Sequence, residues 1–319
     1  MALDSYRGVS VAVLGASGFI GQWVARALSA SGARVILVAR RTTAPTPLDA
    51  TNATVVEADL SRQAAVRDAI AACRPAIVFN LAGYGVDRSE RDEKLARIIN
   101  AELPRWIVEA LAAPDEHSWD GQRLVHAGSA LEYGEISGDL AESSEPNPTT
   151  LYGRTKLAGT LAVRRACEEL DVRGITARLF TVYGAGEHPG RLLPTLLEAT
   201  THNEPIALSS GAQRRDFTYV EDVAEGLLRL GAVKSARPGE IVNLATGLLT
   251  EVKEFATESG RVLGIAPHRL HFGALPARAE EMEHGPVSVT RLRELSGWLP
   301  ATPIAEGVRR AGRLRGSWS

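Results

Sequence analysis

Three glycines at three-residue spacing, Gly15, Gly18 and Gly21, constrain this chain more than any other feature. They directly follow the apolar run Val11–Leu14 and open a helix-like stretch. A strand, a tight turn and a helix N-terminus, in that order, build a cradle for a diphosphate. Gly15 permits the turn, Gly18 lets the backbone approach the phosphates, and Gly21 lets the helix pack close to the sheet. The helix start adds unsatisfied N–H groups and a partial positive charge. The residues this turn offers a dinucleotide are Gly15, Ser17, Gly18, Phe19, Ile20 and Gly21. The triplet alone would say little; its flanking strand and helix turn it into an expectation of dinucleotide binding.

The same alternation runs through the first 180 residues or so. Strand-like runs are Val9–Leu14, Val35–Val38, Thr54–Glu57, Ile77–Leu81, Leu124–Ala127 and Ile175–Leu179. Helix-like stretches include Ile20–Ser31, Gln63–Ala72 and Tyr152–Leu170. Strands separated by helices predict an α/β fold, a Rossmann-type doubly wound parallel sheet. The runs are almost wholly apolar, as expected where helices cover both sheet faces. With 45% hydrophobic residues, the chain can build such a core. After Tyr183 the pattern loosens. Arg191–Thr200 reads as helix, Ile206–Leu208 as a short strand and Ile241–Leu244 as a late return to the sheet. The expected division is a nucleotide-binding domain over residues 1–183, completed by about 217–246. Residues 184–216 and 247–319 form a smaller C-terminal α/β substrate-binding lobe.

Charge and cysteine usage exclude other classes. A formal net charge of -2 gives no global attraction to nucleic acid or an anionic membrane. Arg309, Arg310, Arg313 and Arg315 read as a solvated helix end and tail. Cys73 and Cys167 lie in helix-like runs without zinc-like spacing, and both are expected to be buried thiols. No metal site is expected. The first residues do not read as a secretory leader, and no run approaches the roughly 18 apolar residues of a membrane span. A cytoplasmic location is the expectation.

The second strand ends in Ala39-Arg40-Arg41. NAD-binding chains carry an acidic residue there to hold the ribose hydroxyls. A small residue followed by guanidinium groups leaves room for a 2′-phosphate and supplies cations to bind it. This predicts NADP(H) over NAD(H), with Arg40 and Arg41 as cofactor residues; the other reading makes them surface charges. Further along, Tyr152-Gly-Arg-Thr-Lys156 opens a helical run. Positions i and i+4 share one side of a helix. An ammonium beside a phenol lowers its pKa. Such a tyrosine can exchange a proton with a carbonyl or alcohol oxygen.

The GxxGxxG spacing, the YxxxK pair and Gly128-Ser129-Ala130-Leu131-Glu132-Tyr133-Gly134 together resemble the extended short-chain dehydrogenase/reductase family, over nearly the whole chain. The resemblance implies a catalytic set of Ser129, Tyr152 and Lys156, in which Ser129 holds the reacting oxygen and Lys156 also reaches the nicotinamide ribose. It places Asp59-Leu60 beside adenine and Leu81-Ala82-Gly83, after Asn80, along the wall where the cofactor lies. Asn100 matches a family asparagine with a structural or relay role near the cofactor. Arg178-Leu-Phe-Thr-Val-Tyr-Gly184 and Arg215-Asp-Phe-Thr-Tyr-Val-Glu-Asp222 resemble segments of members acting on nucleotide sugars. They imply Phe180 and Val182 at the nicotinamide, Thr181 at the substrate, and Arg215, Arg278 and Arg191 toward a substrate diphosphate. Tyr84, Val86, His188 and the loop around Ser209–Arg214 are candidates for shaping the sugar pocket. Relatives are often homodimers.

Dehydratases of this family carry an Asp-Glu pair directly after the Ser/Thr. Here those places hold Ala130 and Leu131, which cannot titrate, and Glu132 would face away if the segment stays extended. The remaining readings are an NADPH-dependent 4-ketoreductase of nucleoside-diphosphate 4-keto-6-deoxyhexoses and a nucleotide-sugar 4-epimerase that recycles bound NAD. The Arg40-Arg41 ending and the stretch Phe272–Glu283 favour the reductase. A cofactor-sensing binding protein on the same fold is the non-enzyme alternative; such proteins typically lose the Tyr or the Lys, and this chain keeps both.

Overall fold

The computed structural model describes residues 3–39, 53–85, 90–113, 118–136, 138–276 and 284–314. β1 (Ser10–Leu14) leads through the glycine turn into α1 (Phe19–Ala30), followed by β2 (Arg34–Ala39) and β3 (Ala53–Glu57). Next come α2 (Gln63–Cys73), β4 (Ile77–Asn80), α3 (Glu93–Arg97), a π-helical turn (Ile98–Glu102) and α4 (Leu103–Leu111). β5 (Leu124–Ser129) ends in a 3-10 turn (Ala130–Glu132), and α5 (Leu151–Leu170) and β6 (Gly174–Leu179) follow. The remainder holds β7 (Thr181–Tyr183), α6 (Leu192–Glu198), β8 (Ile206–Leu208), β9 (Arg214–Tyr219), α7 (Val220–Gly231) and β10 (Glu240–Leu244). It closes with β11 (Leu249–Glu251), α8 (Val252–Leu263), β12 (Leu270–Phe272), α9 (Thr290–Ser296) and α10 (Ile304–Arg313).

Among the described residues, seven parallel strands form one sheet in the order β10-β6-β5-β4-β1-β2-β3. The order reverses between β1 and β4, and a crevice at such a switch point is where ligands of open α/β sheets bind. Alternating side chains feed two cores, one on each face. Val11, Val13, Val35 and Leu37 pack with α1 and α7. Ala12, Leu14, Ile36 and Val38 pack with α2, α4 and α5. That two-residue period, with both faces covered, is why these strands read as unbroken apolar runs. A three-stranded sheet (β11-β9-β7) and a two-stranded one (β12-β8) stand apart from the main sheet, and a third apolar cluster joins α6, α8, β8 and β12.

Four details differ from the reading of the sequence. β3 is the edge strand and is largely exposed, with Val55 38% accessible, so its apolar run does not mean two covered faces. β9 is a strand although its sequence, RRDFTY, is polar; buried Asp216 accepts the backbone N–H groups of Thr246 (3.0 Å) and Gly247 (2.7 Å). Cys73, at the end of α2, is only half-buried, while Cys167 is buried and its thiol is pushed up to about 12 by desolvation. Arg310 is more than a solvated cation: it bonds Glu221 of α7 and Glu306 of its own helix, both at 2.9 Å. Arg315 lies outside the described residues. Among the described residues no helix is long and apolar enough to cross a membrane.

Candidate active site

The glycine turn fixes the N-terminal half of the crevice. Gly15 has φ +78°, and a Cβ there would stand 2.7 Å from the Ala82 nitrogen and the Leu81 carbonyl carbon. A Cβ on Gly21 would stand 2.1 Å from the Gly15 carbonyl oxygen, so α1 can start this close to β1 only with glycine. Gly18 is the N-cap of α1, and among the described residues no side chain caps the helix start. Its N–H groups and positive dipole end therefore remain for an anion. Ser17 is exposed, with its carbonyl accepting from Gln22 Nε2 at 3.0 Å, and Phe19 and Ile20 pack partly on the core. This cradle fits a dinucleotide diphosphate.

β4 supplies the facing wall. The Leu81 N–H donates to the Leu14 carbonyl (3.0 Å), and Ala82 N donates to Asn80 Oδ1 (3.3 Å). Ala82 is buried and Gly83 exposed, which keeps this wall low. Asn100 is fully buried in the π-helical turn. Its Oδ1 accepts from Tyr84 N (3.0 Å), and its Nδ2 donates to the Tyr84 carbonyl (2.7 Å) and to Thr155 Oγ1 of α5 (3.0 Å). The structure thus places Asn100 as a clamp between the loop after β4 and α5. Asp59 accepts from Ser61 Oγ (2.7 Å), whereas Leu60 turns into the core beside α2.

The third part is the end of β5. Ser129 is buried and caps the 3-10 turn, its Oγ accepting from Leu131 N at 3.2 Å. The segment is therefore not extended, and Glu132 folds back beneath Ser129. Its Oε1 accepts from Ser129 N (2.8 Å) and its Oε2 from Arg178 Nε (2.9 Å). α5 begins beside this turn, with Thr150 Oγ1 accepting from Gly153 N (3.0 Å) as N-cap. A Cβ on Gly153 would lie 2.3 Å from the Leu131 carbonyl oxygen, and one on Gly159 would lie 1.9 Å from the Asn100 carbonyl oxygen. Glycine at these places lets α5 press against both the Ser129 turn and the Asn100 clamp.

Tyr152 and Lys156 come to the same end of β5 from α5. Half-buried Tyr152 lies beside Gly85. Burial raises its phenol pKa and the Glu132 and Glu90 carboxylates raise it further, whereas Arg191 and a hydrogen bond with Ser129 lower it. Lys156 is buried, and its Nζ donates to the Ala127 carbonyl of β5 at 2.5 Å. Desolvation pulls its ammonium down to about 8, against the pull of Glu132. The Lys156 ammonium thus faces a strand carbonyl, and burial dominates the direction in which the Tyr152 phenol is shifted.

Of the other candidates, Arg191 stands exposed at the N-cap of α6 and acts electrostatically on both Tyr152 and Glu187. Phe180 shares an apolar cluster with Ala130, next to Ser129, and meets the His284 ring edge-on at 5.5 Å. Val182 packs on the main core, and half-buried Thr181 pairs with Phe217. Arg215 lies on β9 near His284, whose imidazole is pulled down to about 3 by burial and by Arg215. Arg40, Arg41, Val86 and Arg278 lie outside the described residues. Sequence reasoning did not single out Glu132 with Arg178, Glu187 or His284. Burial pushes the Glu187 carboxyl up to about 8, and its Oε2 is buried with no partner among the described residues. Nothing in the local spacing marks these groups, since each is defined by what packs on it.

Comparison with known proteins agrees with this geometry. Residues 11–245 match the NAD dependent epimerase/dehydratase family. A dTDP-6-deoxy-L-talose 4-dehydrogenase (NAD(P)(+)) from Kitasatospora kifunensis is 31% identical over 311 residues, covering 94% of this chain and 93% of its own. A dTDP-4-dehydrorhamnose reductase from Streptomyces griseus is 31% identical over 81% of this chain and 77% of its own. Among solved structures, MoeE5 in complex with UDP-glucuronic acid and NAD superposes with a TM-score of 0.81 at 28% identity, covering 97% of this chain and 99% of the other.

Proposed function

The chain belongs to the NAD dependent epimerase/dehydratase family of NAD(P)-dependent enzymes, and on that premise we propose that it reduces the C4 keto group of a nucleoside-diphosphate 4-keto-6-deoxyhexose with NADPH. The observation that carries this reading is the meeting of Ser129, Tyr152 and Lys156 at the end of β5, where neither Ala130 nor Leu131 can titrate. A nicotinamide held in this crevice would supply the hydride equivalent that C4 of the sugar needs. Ser129 holds the C4 oxygen through its hydroxyl, and Tyr152 gives that oxygen its proton, so the ketone becomes an alcohol. Burial raises the Tyr152 phenol above its ordinary value, a shift toward the protonated form that a reductase requires of its acid. Lys156 would hold the nicotinamide ribose, and Arg40 and Arg41 the 2′-phosphate. Arg191, Arg215 and Arg278 would hold the sugar diphosphate, with Tyr84 and Thr181 at the sugar. In this reading residues 1–183 and 217–246 carry the cofactor, and 184–216 and 247–319 cover the substrate.

A 4-epimerase with recycled NAD is the second reading; the NAD held beside UDP-glucuronic acid in MoeE5 favours its choice of cofactor. Nicotinamide absorbance separates the two. Purified protein, NADPH and a 4-keto-6-deoxy nucleotide sugar made in situ should give stoichiometric loss of NADPH. Interconversion of ordinary nucleotide sugars with no net oxidation of cofactor would establish the epimerase instead.

A further inference from the structure

Two opposite charges lie beneath the Ser129 turn, buried and remote from solvent. Glu132 is 0% and Arg178 2% accessible. Both carboxylate oxygens of Glu132 are engaged, one by the Ser129 N–H and the other by Arg178 Nε. The register aligns Gly128 of β5, Arg178 of β6 and Asn243 of β10 side by side. A Cβ on Gly128 would stand 2.8 Å from Glu132 Oε1, so the missing side chain on β5 is the space the carboxylate fills. The Arg178 guanidinium lies 4.4 Å over the Tyr133 ring. The Tyr133 hydroxyl donates to Asn243 Oδ1 (2.7 Å), and Asn243 Nδ2 donates to the carbonyls of Leu140 (2.8 Å) and Ser288 (3.1 Å). The chain of contacts thus runs from Ser129 across β6 and β10 to the segment that precedes α9.

We propose that Glu132 is a positioning residue: held by Arg178, it sets the Ser129 turn against Tyr152 without itself touching substrate. For stability alone an apolar pair of similar volume would serve as well, because desolvating two charges offsets most of their attraction. What an apolar pair cannot supply is an acceptor for the Ser129 N–H, and losing it frees the turn to extend. Glu132 is also 0% accessible with both oxygens engaged inside the fold, which separates it from the acid pair of the dehydratases. The proposal rests on the reading of Ser129 and Tyr152 as the reacting groups.

Two double variants test it without stranding a charge. Glu132→Ala with Arg178→Met removes the acceptor; Glu132→Gln with Arg178→Met keeps an acceptor and removes only the charges. The alanine pair should lower kcat about 10²-fold, the scale of a misplaced reacting group, while KM for NADPH stays within about threefold of wild type. The glutamine pair should recover most of that loss. Crystal structures of both should show Ser129 moved away from Tyr152 in the alanine pair only. Wild-type turnover in the alanine pair, or equal losses in both pairs, would overturn the proposal. If the alanine pair does not fold, a loss of about 10²-fold in the folded glutamine pair overturns it as well. If wild type itself consumes no NADPH, the functional reading falls, and the position of Ser129 in the two crystal structures still decides the role of Glu132.

Discussion

The turn after β1 and the turn after β5 both open into the crevice, and they are held by opposite means. The first is made by leaving side chains out. Gly15, Gly18 and Gly21 let strand, wall and helix close to within contact distance, and the backbone itself lines the crevice. The second is made by putting charge in. Glu132 and Arg178 are buried under Ser129, and Gly128 and Gly153 are empty so that the pair and α5 can fit. The difference suits the tasks proposed for the two turns. A diphosphate is bound by N–H groups that need only be exposed in the right order. A proton transfer needs one hydroxyl held in one place, and a turn with an unsatisfied cap would not hold it.

The largest effect expected from breaking this comparison lies on the β5 side. Tyr152→Phe should lose roughly 10²–10⁴-fold in kcat while NADPH binds as before. Undiminished turnover, read in the same absorbance assay, would detach this turn from the chemistry. For the cofactor, Arg40→Ala should weaken NADPH about ten- to a hundredfold, the worth of a charge-assisted hydrogen bond, and leave NADH nearly unchanged. Isothermal titration with both cofactors measures it, and equal losses would remove the case for NADP(H).

A smaller pair of effects sharpens the contrast. Gly15→Ala and Gly153→Ala should each cost about 1–3 kcal/mol of stability by overpacking, read from denaturant midpoints. They should then separate: Gly15→Ala loses cofactor affinity, whereas Gly153→Ala keeps cofactor and loses kcat. The same phenotype from both would mean that the two turns do not act independently.

The last effect is on stability alone and concerns Glu187, whose carboxyl is raised from the ordinary carboxylate range to about 8. With its folded-state pKa above the unfolded value, the native state binds the extra proton between the two. Its contribution to stability is therefore present below about pH 4.5 and is lost as pH rises to 8. Glu187→Gln should match wild type in thermal midpoint near pH 4.5 and exceed it near pH 8. Parallel curves across that range would contradict the shift.

The β1 turn was legible because its constraints are local: strand, glycine spacing and helix start are consecutive in the chain. Tyr152 and Lys156 were legible for a similar reason, since i and i+4 meet on any helix. What Lys156 faces was not. Spacing gives a shared side, but the Ala127 carbonyl that takes its ammonium belongs to another strand. Glu132 was visible as a residue, yet its role depends on Arg178, 46 positions away. β9 was hidden because buried polar strands look like loops until their partners, here the N–H groups of Thr246 and Gly247, are in place. β3 erred in the other direction: its apolar run suited an edge as well as a core.

The most direct test of the central claim is the fate of a label carried by the cofactor. NADPH deuterated at the transferring position is incubated with the enzyme and a 4-keto-6-deoxy nucleotide sugar, and the product is examined by NMR. The account predicts one deuterium on C4 of a 6-deoxyhexose for each NADPH consumed. Deuterium on another carbon, or a rearranged sugar containing none, would contradict it.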